Sequence, residues 1–553
     1  MTATVTRWNS SLLRSSRTMA LGTIVSRATG FVRMVVLAAA VGNLALAEAY
    51  NVANVLPNII YELLLGGVLT SVVVPLLLAA TKRDEEAGVA AAGEVFAQQL
   101  LTLVALVLGA ATVLAVLAAP WIIDVYGGGG RQQELAVSFA RFFLPQILFL
   151  GLGAMFGAVL NSRGRFAAPM WVPVLNNLVV IATLLVFLVE ARGQGRDILE
   201  LTTAELLTLG VGTTAGIVVQ TAALIPSLQA TGFRLRPRIG LPMADLRRAG
   251  RLAGWVLVYV AANQVALLVV VKLAKAAGQA GGGGHGVGYS AYLYAFTIFS
   301  LPHAIVAVSI ITALLPRMSR ASLEGRLDRL GDDLAGGLRL AGVLVVPAAW
   351  ALFALGPLIG TVIYGHGRVS SADARSIGQV LAGFAIGLVP FSAFQFQLRA
   401  FYAQGDTRTP ALVNIAVNAV NIVAALLLYA ALPPPEQVIG LAVAYSSSYM
   451  VGVALTSRLI TRRLRLPHET HVLRTYVRLG VAGALGSVAA LVVALPLQAT
   501  LGRGPLDAGV ALALALPVGA FAYVVVARRM RVPEVAHLAL LLPAGLDPRR
   551  RTR

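Results

Sequence analysis

The chain has 553 residues, 58% of them hydrophobic and only 12% charged, with a formal net charge of +20 at neutral pH. A soluble domain carries about 25% charged residues, so this composition excludes a water-soluble globule and makes lipid the solvent. The absence of cysteine excludes disulfides, thiolate metal sites and cysteine nucleophiles, and the six histidines show no ligand-like spacing.

Long apolar runs, such as 113–119 and 178–188, show no period-two alternation. Lipid admits only helices or closed barrels, and these runs select helices. The expected fold is an all-α polytopic membrane protein with about fourteen transmembrane helices. The first span, 18–42, follows Arg7, Arg14 and Arg17 and exceeds the ~7–15-residue core of a signal peptide. It contains Arg27 and Arg33 with Gly30 between them. Six residues turn a helix through about 600°, which leaves the two off a common face unless the helix bends at Gly30. An arginine in lipid costs at least about 2.5–3.5 kcal/mol. The pair therefore either faces an anion-binding cavity or snorkels to the interface.

The second span, 47–80, is long enough to break at Pro57, beside Asn58. It holds Glu62, which either pairs with Arg27 or Arg33 or serves as a proton or ion ligand, and Glu48 lies near its outer end. Spans at 93–119, 133–160, 167–190 and 204–230 complete an N-terminal lobe, 1–232. The seventh span, 249–276, carries Lys272, which either completes a cationic cavity or snorkels outward with Lys275. Then come 287–316 with Pro302, 334–364, 373–403, 409–432 and 437–461, closing a second lobe at 233–465. In 409–432, Asn414 and Asn418 lie one turn apart on one face, followed by Asn421. They suit either a small cation or hydrogen bonds between helices. Two further helices, 473–496 and 505–527, occupy 466–530, and a basic tail fills 531–553.

With the N-terminus in the cytoplasm, alternation puts most of the 44 basic residues on the cytoplasmic side. Lys82, Arg83, Arg163, Arg165, Arg234, Arg236, Arg238, Arg247, Arg248 and Arg251 all fall there, as does the tail with Arg549, Arg550, Arg551 and Arg553. The asymmetry implies an even number of spans and cytoplasmic termini. It also assigns the net charge to orientation and anionic lipid rather than to nucleic acid.

Two motif pairs recur roughly 240 residues apart. Ala49-Tyr50, Leu56-Pro57-Asn58 and Pro75 match Ala291-Tyr292, Leu301-Pro302-His303 and Pro316. Asn161-Ser162-Arg163-Gly164-Arg165, Pro169 and Asn177 match Gln404-Gly405-Asp406-Thr407-Arg408, Pro410 and Asn418. Six helices separate the copies, which predicts two six-helix lobes related by a parallel pseudo-twofold axis around a central cavity. The glycine runs at 127–130 and 281–284 read as hinges or as flexible loops. No GxxxxGK[ST] loop and no convergent acid, base and nucleophile occur, so neither ATP hydrolysis nor another enzymatic activity is expected. No cofactor is expected, and the energy would come from an ion gradient, the membrane potential or the substrate.

Ser26-Arg27-Ala28-Thr29-Gly30-Phe31-Val32-Arg33, then Ala49-Tyr50, Leu56-Pro57-Asn58, Gly66 and Val74-Pro75, resemble the MurJ/MviN family of lipid II flippases. Leu301-Pro302-His303 through Leu314-Leu315-Pro316, and Phe401-Tyr402-Ala403 through Thr407-Arg408-Thr409-Pro410, extend the likeness over nearly the whole chain. The resemblance implies transport of the undecaprenyl-pyrophosphate-linked disaccharide-pentapeptide to the outer leaflet of a bacterial cytoplasmic membrane for peptidoglycan synthesis. It puts Arg27 and Arg33 toward the pyrophosphate and a lipid-tail groove at about 473–527. The implied partners are that precursor, membrane lipids and cell-wall synthesis proteins. Met34, Tyr61 and Thr297 stand where many relatives carry charge, and only Val269 to Val271 occupy the place of an acidic sodium ligand. The cationic set is thinner than usual, with Lys272 as a compensating candidate, and the membrane potential becomes an alternative drive. The rival readings are a flippase for another polyprenyl-linked saccharide, a drug/cation antiporter, and a non-transporting scaffold of cell-wall synthesis.

Overall fold

Helices in lipid satisfy their own backbones and then associate by close packing and polar contacts rather than by hydrophobic exclusion from water. A computed structural model shows this arrangement. It describes residues 2–66, 92–127, 129–191, 199–240, 243–280, 288–464 and 469–535. Pro75, Lys82, Arg83, the glycines at 281–284 and Arg549, Arg550, Arg551 and Arg553 of the tail lie outside the described residues. No strand occurs among the described residues.

Among the described residues the helices begin, in chain order, with α1 (Thr2–Val41), α2 (Ala45–Tyr61), α3 (Ala92–Leu117), α4 (Ala119–Val125), α5 (Gly130–Phe143), α6 (Gln146–Ser162), α7 (Ala167–Glu190), α8 (Thr203–Ala222) and α9 (Leu224–Gln229). Then follow α10 (Met243–Ala280), α11 (Tyr289–Pro302), α12 (Val308–Leu323), α13 (Leu327–Tyr364), α14 (Ser371–Ala403), α15 (Arg408–Ala431), α16 (Pro434–Leu464), α17 (Glu469–Leu501) and α18 (Pro505–Arg529). Thirteen helical stretches among the described residues are long and apolar enough to cross a membrane. They correspond to every span read from sequence except 47–80. That one appears as α2 and a π-helical turn, Glu62–Gly66, beyond which the chain is not described.

Contacts divide the chain into two units, Met1–Lys275 and Ala276–Arg553. In the first, α1 packs on α7, α7 on α8, α2 on α5, and α3 and α8 on α6. The α1–α7 contact is close: a Cβ added at Gly22 would stand 2.9 Å from the Trp171 indole nitrogen.

In the second unit α13 and α14 share the most extensive contact, joined by α11, α12 and α16. Gly356 and Gly360 of α13 meet Ala374 and Gly378 of α14 backbone to backbone: a Cβ at Gly378 would lie 2.2 Å from the Gly356 carbonyl oxygen. Small residues four apart on both helices permit this approach. The last two helices pack on each other and on α13. There the Tyr476 hydroxyl donates to the Leu338 carbonyl at 2.8 Å, and that of Tyr523 to the Val343 carbonyl at 2.7 Å. An Arg339–Glu534 ion pair at 2.8 Å fastens the turn that follows α18.

The second motif pair has a local structural meaning. Gly164 ends α6 and Gly405 ends α14, each at φ 72°. The Arg165 amide donates to the Leu160 carbonyl at 2.9 Å, and the Asp406 amide to that of Phe401 at 3.0 Å. Both are six-to-one closures of a helix end, which require a residue in the left-handed region and so favour glycine. The two motifs recur because each encodes the same helix stop.

Candidate functional site

The residues expected to carry function in the first unit lie on α1, α2 and α10. One stripe of α1 is committed to α7. Asn177 donates from its side-chain nitrogen to the Ser26 carbonyl at 3.2 Å and to the Thr29 hydroxyl at 3.0 Å. The same amide lies 3.4 Å from where a Cβ on Gly30 would stand. With Gly22, Ser26, Thr29 and Gly30 turned to α7, Arg27 falls off the stripe and is exposed, while Arg33 is half-buried. Arg33 interacts electrostatically with Tyr50, whose buried hydroxyl sits 2.7 Å from that of Thr213. Tyr50 is braced edge-on by Phe139 and Phe143 at ring separations of 5.6 and 5.1 Å. The two arginines therefore occupy different environments, one exposed and one half-buried and electrostatically coupled to a buried tyrosine.

On α2, Pro57 is buried and Asn58 exposed. Proline withdraws a backbone donor from the helix, and within two turns α2 loosens into the π-helical turn that begins at Glu62. The Glu62 amide is shared between the Asn58 and Ile59 carbonyls. Glu62 is half-buried, and among the described residues no ion pair joins it to Arg27 or Arg33. The pairing expected from sequence is thus absent from this structure. On α10, Lys272 is exposed and Lys275 is buried. The Lys275 ammonium donates to the Gly127 carbonyl and interacts with the carboxylate of buried Glu48. Gly127, read as a hinge or flexible loop, is tethered by that bond.

In the second unit Pro302 ends α11 and leads directly into another π-helical turn, His303–Ala307. Sequence reasoning took His303 only as part of a motif. Its ring is buried against Phe391 with centroids 4.6 Å apart, and its Nδ1 lies 3.1 Å from the Ser392 hydroxyl. Around it Phe296, Phe299, Phe384, Tyr445 and Tyr449 form a continuous aromatic cluster. The aromatics at 292, 294, 296 and 299, and the pair of tyrosines four apart at 445 and 449, were the available signal. On α15, Asn414 is buried, and the Asn418 amide donates back to the Asn414 carbonyl at 2.9 Å. Between α14 and α16, Gln397 donates to the Ser457 hydroxyl at 2.7 Å and accepts from Thr456. The Gln397 bonds fit polar fastening of helices in lipid, whereas the Asn418 bond stays within α15. Among the described residues no cluster of His, Cys, Asp or Glu could hold a metal ion.

What this arrangement can do is bind an anion at an open guanidinium on a helix fixed along its opposite side. Comparison with known proteins gives the context. The family model "Lipid II flippase MurJ" matches residues 37–505, beginning just after the two first-span arginines. A protein of Rhizobium meliloti named "Probable lipid II flippase MurJ" is 28% identical over 487 residues, covering 87% of this chain and 86% of its own length. The solved structure "Lipid II flippase MurJ, inward closed conformation" superposes with a TM-score of 0.71 at 19% identity, covering 95% of this chain and 99% of that one. An inward-facing multidrug resistance MATE transporter of the MOP superfamily gives 0.64 at 14% identity, over 80% of this chain and 95% of its own. The fold alone is thus common to flippases and drug transporters, and the family model separates them: this multi-pass membrane protein belongs to the MurJ family of lipid II flippases.

Proposed function

We propose that the chain carries lipid II, the undecaprenyl-pyrophosphate-linked disaccharide-pentapeptide, from the inner to the outer leaflet of the bacterial cytoplasmic membrane by alternating access, with both termini in the cytoplasm. The observation that carries this reading is Arg27, an exposed guanidinium in a membrane-crossing helix whose other face is locked to α7. A planar guanidinium grips phosphate oxygens in pairs, and a fixed helix holds it ready without reorganisation. Arg33, half-buried on the same helix, is a second attraction. Lys272, also exposed, adds positive charge on α10.

A drug/cation antiporter needs acids free to exchange cations. Glu48 is engaged by Lys275, which leaves Glu62 on α2 as a poor basis for that chemistry. A flippase for another polyprenyl-linked saccharide would use the same residues. The drive we favour is the membrane potential: with the interior negative, each negative charge moved outward gains about 2.3 kcal/mol per 100 mV.

The test measures lipid II exposed on the outer leaflet of cells depleted of their own flippase and supplied with this chain or its Arg27→Ala variant. Restoration by the chain, with at least a tenfold loss in the variant (about 1.4 kcal/mol), is expected. Collapse of the potential at constant pH and sodium gradients should abolish exposure. Stable insertion of both proteins without any exposure of lipid II would overturn the substrate assignment. Equal rescue by both would overturn the role of Arg27.

A further inference from the structure

Between α9 and α10 the chain runs through Phe233, Arg234, Leu235, Arg236, Pro237, Arg238, Ile239 and Gly240 without helix or strand. It is nevertheless held. The Arg234 amide donates to the Glu94 carboxylate at 3.1 Å, and Gln98 donates to the Arg234 carbonyl at 2.7 Å. The Arg238 amide donates to the Thr102 hydroxyl at 2.9 Å. Glu94, Gln98 and Thr102 lie four apart, so they form one stripe of α3. Phe233, buried, anchors the leading end under the Arg163 guanidinium at 5.2 Å.

The register fixes the shape. Glu94 and Thr102 are eight residues apart, about 12 Å along a helix axis. Residues 234–238 cover that distance in four steps, about 3 Å each, which is nearly a full extension. In an extended chain successive side chains alternate sides. Arg234, Arg236 and Arg238 therefore stand on one side, and Leu235, Pro237 and Ile239 on the other. All six are exposed, Leu235 at 38% and Ile239 at 88%. None of the three guanidiniums is held in an ion pair among the described residues.

The depth of the ribbon follows from α3. Glu94, Gln98, Gln99 and Thr102 are its polar residues before an almost wholly apolar stretch at 103–119. The fifteen of these residues that belong to α3 span about 23 Å, approaching the ~30 Å of a bilayer's hydrocarbon core. The clip at 94–102 thus sits in the headgroup layer, and the ribbon with it. A strip with a row of guanidiniums on one edge and bare aliphatic side chains on the other matches the boundary between phosphates and acyl chains.

We infer that residues 234–239 form a lipid-binding ribbon that takes the phosphate groups of anionic phospholipids on its arginines while Leu235 and Ile239 enter the acyl boundary. Anionic lipid then fixes the leading end of α10 against α3. Each basic residue near such a surface favours the bound state by roughly fivefold at low salt.

The chain has no native cysteine, so Ile239→Cys can carry a single nitroxide on the full-length protein in vesicles. The measurement is the label's accessibility to oxygen and to a water-soluble nickel chelate. Phosphatidylcholine vesicles with phosphatidylglycerol should shift it toward oxygen relative to phosphatidylcholine alone, and high salt should reverse the shift. Combining R234Q, R236Q and R238Q should abolish the phosphatidylglycerol dependence, whereas the three Arg→Lys changes should retain it; the lysine variant controls for folding. Accessibility unaffected by phosphatidylglycerol, or an equal shift in the glutamine variant, overturns the inference. A full shift produced by inorganic phosphate over phosphatidylcholine also overturns it, since a soluble anion would then be the ligand.

Discussion

Asp406 illustrates how a single side chain serves a helix start at the water interface. Burial would push its carboxyl upward. Donation by the Thr409 amide and hydroxyl and by Arg463, at 3.0, 2.7 and 2.6 Å, outweighs burial and holds it below the usual 3.8. A depressed carboxylate contributes stability that is complete above its unfolded value and is lost as pH falls through the folded one. Thermal unfolding in detergent should therefore show wild type above Asp406→Asn at neutral pH by at most about 1 kcal/mol, as for other exposed pairs. The gap should close below about pH 4. A gap that persists unchanged to pH 3 would mean that the carboxylate is not its origin. Arg27 and Arg33 show what one chain position cannot reveal. Their separation along α1 was plain in sequence, but which faces protein depends on Trp171 and Asn177, some 145 residues away on α7. Lys275, rather than Lys272, is buried for the same kind of reason, because its acceptor is the Gly127 carbonyl.

At the level of elements, the contact between α13 and α14 rests on absent side chains. A methyl at Gly378 would meet the Gly356 oxygen at 2.2 Å and the Pro357 Cα at 2.6 Å, both backbone atoms that cannot swing aside. Gly378→Ala should cost about 1–3 kcal/mol as an overpacking change, seen as a lower Tm. At Gly336, also on α13, a methyl would meet nothing within 4 Å, so Gly336→Ala should be neutral or stabilising by up to about 1 kcal/mol. Equal losses in the two variants would refute the close-approach account. Helix spans were legible because apolar length is a direct consequence of bilayer thickness. A break was expected at Pro57, but α2 runs through it to Tyr61, and the π-helical turn at Glu62–Gly66 depends on packing that no window of sequence contains. His303 went unassigned because its partners, Phe391 and Ser392, belong to another helix.

For the whole molecule, the sequence reading of an even number of crossings with a cytoplasmic excess of arginine predicts both ends on the cytoplasmic side. Green fluorescent protein fused after Arg553 should fluoresce, and alkaline phosphatase fused there should be inactive. The converse pair of results would overturn a cytoplasmic C-terminus. Of the short motifs from which the sequence reading predicted a parallel repeat, one is structurally a shared helix stop at Gly164 and Gly405. Its chemistry needs only a residue in the left-handed region followed by a six-to-one bond, so the backbone of the stop asks for little besides the glycine.

The two π-helical turns, each just downstream of a Leu-Pro pair, have a mechanical consequence. A π turn holds one residue more than the α turn it replaces. It is the helical counterpart of a dislocation in a crystal, an extra unit that can glide without the lattice coming apart. Moving it by one turn rotates the intervening side chains through about 100° while the hydrogen bonds on either side persist. Glu62 and His303 stand at the heads of these defects, where such a glide would turn a polar group from one surrounding to another without the helix ever unfolding.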